Sequence, residues 1–289
     1  MSTMLRLVEF DLAGPPPLNE GRYLCRSADG EPRFVLGVRA LAAPSATGRK
    51  RRKKGRPESA NPEPARIAIT RYAVAATDPV GDSGEAAAWL ERTSRDPDAT
   101  EHELGVAERL INRALHAQRA AIGDPAIADI SADRALVRRL GIATGEEVAA
   151  GAWSDAVEIP HPGEHGGPVR RRIAEIGPQE RVAAVLGGRE EVPAAVSLLG
   201  RARADFDQGR WRDSALQLVI ALDAVLAEIG DTVGERQLAD LAELHGLREA
   251  VGRSASAALR ADGVPDTDLI GSTLQVCERV VARRRIGTA

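Results

Sequence analysis

Aromatic residues are scarce in this chain of 289 residues, and cysteine is scarcer still. Phe, Trp and Tyr together make up 3% of the sequence, so the core must be built from Leu, Val, Ile and Ala. The two cysteines, Cys25 and Cys277, lie far apart, and neither belongs to a CxxC or Cys/His pattern. This arrangement favours two buried thiols in a reducing compartment over a disulfide scaffold.

Long apolar runs are also missing. The most apolar stretch, ALQLVIALDAVLAEI, is interrupted by Gln217, Asp223 and Glu228 and is too short to span a bilayer. The N-terminal sequence MSTMLRLVEFDLAG has charges spread through it and lacks the apolar core of a signal peptide. We therefore expect a soluble, cytoplasmic protein that does not contact a membrane.

Lysine occurs only within one basic run, TGRKRRKKGR, where Lys50, Lys53 and Lys54 are the only three in the chain. The formal net charge of the protein is −3, and without the seven basic residues of this run the remainder carries −10. Such an acidic body repels a phosphate backbone at long range, so any contact with nucleic acid must be local. The candidate polyanion-binding residues are Arg49, Lys50, Arg51, Arg52, Lys53, Lys54 and Arg56.

The first eighty residues have the pattern of β-strands. The segments MLRLVEFDL, RYLCR, RFVLGVRAL and ARIAITRYAVAAT are rich in β-branched and aromatic residues or alternate between apolar and polar positions. Asp29 and Gly30 separate the second and third segments and predict a hairpin. The apolar phase of the fourth segment shifts near Arg71, which predicts either a bulge there or an incorrect strand assignment.

The basic run lies between the third and fourth predicted strands. Residues 47–64 are polar and punctuated by Gly and Pro, which predicts a disordered hairpin loop that the sheet tolerates at small entropic cost. Two interpretations stay open: a solvated linker, or a segment that binds RNA, DNA or an acidic surface through counterion release. No aromatic residues interleave with the charges, so no base recognition is predicted.

Helical patterns begin at about Gly84. GEAAAWLERTS predicts a short helix, and a longer one follows with its cap at Asp98 or Thr100. Residues 123–176 have a less regular apolar pattern, which predicts two short helices separated by glycine turns and followed by a loop. The inward-facing stripe predicted for the long helix consists of Leu104, Ala107, Ile111 and Leu115.

The segment after about Pro178 predicts an antiparallel helix bundle. Its central helix is apolar on two sides, which is typical of a helix surrounded by others. The residues that recur at spacings of three and four there are Trp211, Ala215, Leu218, Leu222, Val225 and Ile229.

The bundle segment ARADFDQGRWRDSALQLVIALDAVL resembles one tetratricopeptide-repeat hairpin. The matching positions include Phe206, Gly209, Trp211 and Ala215. No second copy of 34 residues follows, and such repeats need neighbours to bury their faces. An ordinary antiparallel helix pair is the alternative interpretation.

Two further motifs resemble motifs found in enzymes. HPGEH, from His161 to His165, matches the H-x-x-E-H zinc-protease pattern, but Pro162 and Gly163 inside it predict a loop instead of the helix that this chemistry requires. Arg109 and His116 resemble the Arg-x4-6-His element of HEPN-type ribonucleases, which are helical bundles. That resemblance implies an Arg steadying the scissile phosphate and a His shuttling a proton.

These patterns together predict an α+β protein. The expected organisation is an antiparallel sheet with a short helix in residues 1–95, a helical connecting region in 96–176 and an antiparallel helix bundle in 177–289. No GxGxxG, GxxxxGK[ST] or GxSxG motif occurs, and we predict no cofactor, no metal and no catalytic residues.

The leading functional prediction is a non-catalytic interaction or adaptor protein. Its C-terminal bundle would bury a protein partner or a second copy of itself. The alternatives are a nucleic-acid-associated protein that uses the basic run and, more remotely, a HEPN-like ribonuclease.

Overall fold

The computed structural model describes residues 3–27, 29–41, 67–161, 179, 182–229, 238–260 and 263–287. The chain divides into two compact units, an N-terminal unit of residues 1–165 and a C-terminal unit of residues 166–289. The N-terminal unit combines a sheet with two long helices, and the C-terminal unit is helical within the described residues. This confirms the predicted α+β class.

The sheet of the N-terminal unit has six strands in the order β2-β3-β4-β1-β5-β6, and every neighbouring pair is antiparallel. The strands span β1 (Met4–Ala13), β2 (Gly21–Arg26), β3 (Pro32–Leu41), β4 (Ile69–Gly81), β5 (Val137–Thr144) and β6 (Asp155–Glu158). The first four occupy the segments predicted as strands, and the β2–β3 hairpin turns at the predicted Asp29–Gly30.

Alternation along the strands gives the sheet two different faces. On one face apolar side chains such as Phe10, Leu36 and Leu140 are completely buried. They pack against two helices, α1 (Ser83–Arg95) and α2 (Pro97–Ile122), in one hydrophobic core. The opposite face is called the open face below, because neither long helix covers it.

The two helices bury the predicted apolar positions. Leu104, Ala107, Ile111 and Leu115 of α2 are all buried, as the stripe predicts. The predicted cap is wrong, because α2 begins at Pro97 and is capped by Asp96, whose carboxylate accepts hydrogen bonds from the amides of residues 98 and 99. Proline suits the first helical position because its φ is fixed and its missing N–H has no partner there.

The region between α2 and the C-terminal unit differs from the two short helices predicted for residues 123–176. Its described residues contain β5 and β6, which extend the sheet, one short α-helix, α3 (Gly145–Ala150), and a 3-10 turn (Ala132–Arg134). The segment VRRLGIAT of β5 carries Arg138 on the core face and Arg139 on the open face, so apolar and charged residues do not alternate cleanly along it. The predicted bulge near Arg71 is also absent, since the β4 register runs through that residue without a shift.

Besides a short helical stretch in residues 182–186, the described part of the C-terminal unit contains four longer helices: α4 (Ala194–Asp207), α5 (Trp211–Ile229), α6 (Leu238–Ala258) and α7 (Thr267–Gly287). The central helix is α5, and its Leu218, Leu222 and Val225 are buried in a core to which all four helices contribute. Gly209, with a φ of 72°, allows the tight connection between α4 and α5. The rings of Phe206 and Trp211 meet edge to face beside it, at 5.0 Å.

Candidate functional site

The register of the sheet fixes which residues lie side by side on the open face. Three adjacent rows of paired residues cross the strands there. The first row is apolar and contains Ala156, Gly141, Leu7, Ala75, Val35 and Leu24. The middle row contains Glu158, Arg139, Glu9, Ala73, Gly37 and Arg22. The third row is mostly charged and contains Val137, Asp11, Arg71 and Arg39.

The centre of the middle row has almost no side chains. Gly37 of β3 and Ala73 of β4 lie opposite one another, with Glu9 beyond Ala73 and Arg22 beyond Gly37. The larger side chains of Glu9, Arg22, Val35, Arg39 and Arg71 around it turn this gap into a depression. A cavity of about 360 Å³ occupies it, which is within the size range of small-molecule sites.

A short segment after β5 roofs the cavity. Helix α3 begins with a capping box in which Thr144 and Glu147 bond each other's backbone amides. It ends at Gly151, where φ is 70° and where a Cβ would lie 2.5 Å from the guanidinium of Arg39. Residues 148, 149 and 151–153 then line the cavity, with the ring of Trp153 among them.

Two arginines of the sheet hold this roof by its backbone. Arg22 donates a hydrogen bond to the carbonyl of Ala149, and Arg39 donates one to the carbonyl of Ala150 at 3.0 Å. Both carbonyls lie at the C-terminal end of α3, where cations are favoured. Both guanidiniums also line the cavity, so they link its wall to its roof.

Four charged side chains form a cluster at the β1 end of the cavity. Arg71 makes a bidentate pair with Asp11 at 2.8 and 2.9 Å, and it contacts Glu9 at 3.2 Å. Arg139 contacts Glu9 at 2.7 Å and Asp11 at 3.3 Å. The two guanidiniums lie 5.2 and 5.8 Å from the ring of Trp153, so the cluster also supports the roof through cation–π contacts.

The two carboxylates of this charge cluster differ in their proton affinity. Burial raises the pKa of Glu9 above its ordinary value, against the lowering effect of the Arg71 and Arg139 charges. Burial also acts to raise the pKa of Asp11, but its hydrogen bonds and ion pairs with Arg71 and Arg139 outweigh burial and leave that pKa lowered. Glu9 lines the cavity and Asp11 does not, so the carboxylate with the raised pKa is the one at the cavity wall.

None of the residues singled out in the sequence forms this site. The basic residues Arg49 to Arg56 lie outside the described residues, and their binding role stays a prediction. Arg109 is exposed on α2, whereas His116 is half-buried and its Nδ1 atom is buried without a hydrogen-bond partner among the described residues. Helix α2 packs on the sheet, while HEPN-type ribonucleases are helical bundles. The ribonuclease interpretation likewise stays a prediction.

The zinc-protease pattern has one described residue. The Nε2 atom of His161 lies 2.6 Å from the carbonyl oxygen of Ala135, and residues 162–165 lie outside the described part of the chain. No group of three or more potential metal ligands occurs among the described residues.

The C-terminal unit has a shallower groove of about 550 Å³ where the α4–α5 connection approaches the end of α6. Three of its lining side chains are apolar and exposed: Trp211 at 39%, Leu259 at 69% and Val264 at 81%. Apolar side chains gathered at one exposed groove are typical of an interaction surface.

Comparisons of the chain with protein-family models, with curated proteins and with solved structures give no match. Among the described residues, no helix has the length and apolar character needed to cross a membrane.

Proposed function

We propose that the N-terminal unit is a ligand-binding domain whose small-molecule ligand occupies the cavity on the open face. The observation that carries this proposal is the gap at Gly37 and Ala73 in a row that otherwise carries charged side chains at both ends. The enclosing roof and the buried Glu9, which is 2% exposed, add to it. Concave sites with apolar walls and a few converging polar groups are typical of small-molecule binding.

The presence of the roof is evidence that the open face is not simply the solvent-exposed side of the sheet. A solvated face of an antiparallel sheet needs no cover, and its charges stay in water. Here two arginines, a tryptophan and a capped helix hold a segment over the sheet, and the ion pairs of Glu9 are removed from solvent. Burying such charges costs free energy, which favours a functional reason for the arrangement.

The experiment fills the cavity without disturbing the strand. A Cβ at Gly37 would lie 3.7 Å from the carbonyl oxygen of Ala73, which is ordinary contact, so Gly37→Val projects its side chain into the cavity. Ala40→Val is the matched control, because Ala40 lies on the same strand and points to the opposite face. Fragment-sized anionic, neutral and cationic compounds are titrated into the full chain and followed by ¹⁵N NMR.

We expect fragments to shift the amide resonances of the residues that line the cavity in the wild type and in Ala40→Val, and not in Gly37→Val. Thermal denaturation should show that Gly37→Val is at least as stable as the wild type, because valine favours strands and glycine does not. Fragment shifts that are the same in Gly37→Val and the wild type would contradict the proposal, and so would a complete absence of shifts at the cavity.

We also propose that the C-terminal unit binds a protein partner or a second copy of the chain through its groove. The exposed Trp211, Leu259 and Val264 favour this second function. A photo-crosslinking residue placed at Leu259 of the full chain should give a discrete adduct in cells or with the purified protein. The same residue at Ile220, which is 58% exposed and does not line the groove, is the control. Equal labelling at the two positions would contradict the groove as an interface.

A further inference from the structure

The two ends of the cavity differ in charge. At the β1 end, the carboxylates of Glu9 and Asp11 balance the guanidiniums of Arg71 and Arg139. At the β2 end, neither Arg22 nor Arg39 forms an ion pair with any carboxylate of the described residues. Glu20 lines the rim there, and its Oε1 atom accepts a hydrogen bond from the Ala40 amide. The β2 end therefore keeps an excess of one positive charge.

Arg22 and Arg39 are placed to act on one group. Arg22 pairs with Gly37, and Arg39 lies two residues from Gly37 on the same face, so the two arginines are diagonal neighbours about 7–8 Å apart at their Cα atoms. Each guanidinium has five N–H donors and makes one hydrogen bond to the roof within the described residues. The donors that remain match the fork geometry of a carboxylate or phosphate.

The space between the two ends is lined mainly by apolar groups. Its floor is the backbone of Gly37 and Ala73, and its side is formed by Leu7, Val35 and Ala75 of the neighbouring row. The ring of Trp153 belongs to the roof. A floor whose only side chain is the Ala73 methyl group, beneath a cover, suits a flat ligand body better than a branched one.

We propose that the cavity binds a small organic anion, with its oxyanion between Arg22 and Arg39 and its flat apolar body over Gly37 and Ala73. This inference rests on the proposed ligand-binding function and specifies the ligand class. The orientation follows from charge, since the charges at the β1 end balance one another and the excess positive charge at the β2 end attracts an oxyanion.

The test compares probes that share a shape and differ in charge. 2-Naphthoate is the anionic probe, 2-naphthamide is its neutral isostere, and inorganic phosphate is an anion without an apolar body. Each is titrated into the full chain and followed by ¹⁵N NMR. We expect naphthoate to bind about tenfold more tightly than the amide, the difference that one charge-assisted hydrogen bond supplies, and phosphate to bind weakly.

The arginine variants separate ligand contact from support of the roof. In Arg39→Gln the preference for naphthoate over naphthamide should fall several-fold, whereas loss of roof support alone would weaken both probes equally and leave their ratio unchanged. Arg95→Gln, on the exposed surface of α1, is the control and should keep the wild-type ratio. Arg22→Gln repeats the measurement from the neighbouring strand.

The outcomes distinguish this inference from the function on which it rests. If naphthoate and naphthamide bind at the cavity with equal affinity, the inference that the ligand is an anion is wrong, but the proposed ligand-binding function is not contradicted. If phosphate binds as tightly as naphthoate, the inference that the ligand has an apolar body is wrong. If none of the anionic, neutral and cationic fragments shifts the amide resonances of the cavity residues, the proposed function itself is wrong.

Discussion

Glu9 and Arg22 belong to the same row of paired residues on the open face, and only Ala73 and Gly37 lie between them. Three strand spacings separate their Cα atoms by about 14 Å. Their environments differ, since Glu9 is buried between two guanidiniums and Arg22 is exposed at an edge strand. The cavity therefore has a buried, charge-balanced end at Glu9 and an exposed, positively charged end at Arg22.

Replacing Glu9 by its neutral isostere in Glu9→Gln should change how stability depends on pH. The pKa of Glu9 is raised in the folded state, so the folded chain holds this proton more tightly than the unfolded chain does. Its favourable contribution is therefore complete below the ordinary value of 4.5 and is lost as the pH rises through the folded-state pKa. Urea unfolding at a series of pH values should show the wild type losing stability relative to Glu9→Gln over this rise.

Asp11→Asn should show the opposite slope. The pKa of Asp11 is lowered in the folded state, so its contribution is present above the ordinary value of 3.8 and is lost as the pH falls through the folded-state pKa. At neutral pH the substitution also breaks the bidentate pair with Arg71 and should lower the free energy of unfolding by about 2–3 kcal/mol. Slopes of the same sign in the two variants would contradict the assignment of their environments.

The cap of α2 allows a comparison between sequence and structure. Asp96→Ala should lower the free energy of unfolding by about 1 kcal/mol, because the Asp96 carboxylate bonds two amides of the first turn. Asp98→Ala keeps these bonds and removes only a favourable charge near the helix N-terminus, worth about 0.3–1 kcal/mol at most. Chemical denaturation measures the free energy of unfolding of both variants. A larger loss of stability in Asp98→Ala than in Asp96→Ala would favour Asp98 as the cap, as expected from the sequence.

Much of the fold could be predicted because local patterns are strong there. The alternation of Val8, Phe10 and Leu12 on one side of β1 identifies a strand from its own residues, and the stripe of α2 does the same for a helix. Strand β5 lacks such a pattern because each of its faces carries an arginine, and the Arg138 side chain is buried on the core face, where it contacts Asp133 and the carbonyl of Pro160. Its position in the sheet depends on contacts with β1, which no local window contains.

The candidate site could not be predicted for the same reason. Glu9 and Asp11 are visible in the sequence as charges on the second side of an apolar strand, which is a signal. Their partners, however, are distant along the chain, at a sequence separation of 60 for Asp11 and Arg71 and 130 for Glu9 and Arg139. Only the register of three strands brings these groups together, and the same register places Gly37 beside Ala73.

The bundle core should respond to truncation at Leu218. This side chain is completely buried at the centre of α5, so Leu218→Ala should lower the free energy of unfolding of the C-terminal unit by about 2–5 kcal/mol. Ile220→Ala removes a similar side chain two residues away that is mostly exposed, and it should change stability by about 0.5 kcal/mol or less. Denaturation followed by circular dichroism measures both, and equal losses would place α5 at the surface instead of the centre.

A test of the basic run is independent of the cavity in the N-terminal unit and of the groove in the C-terminal unit. Changing the six residues from Arg49 to Lys54 to serine removes six of the seven positive charges of the run, from a chain whose remainder is acidic. If the run binds polyanions, the wild type should be retained on heparin, with a steep salt dependence from counterion release, and the serine variant should elute with the unbound fraction. A matched variant that replaces the same number of arginines elsewhere on the surface, with Arg95 among them, controls for the change in net charge. Identical elution of the wild type and the serine variant would end the nucleic-acid hypothesis for this run and leave the solvated linker as its interpretation.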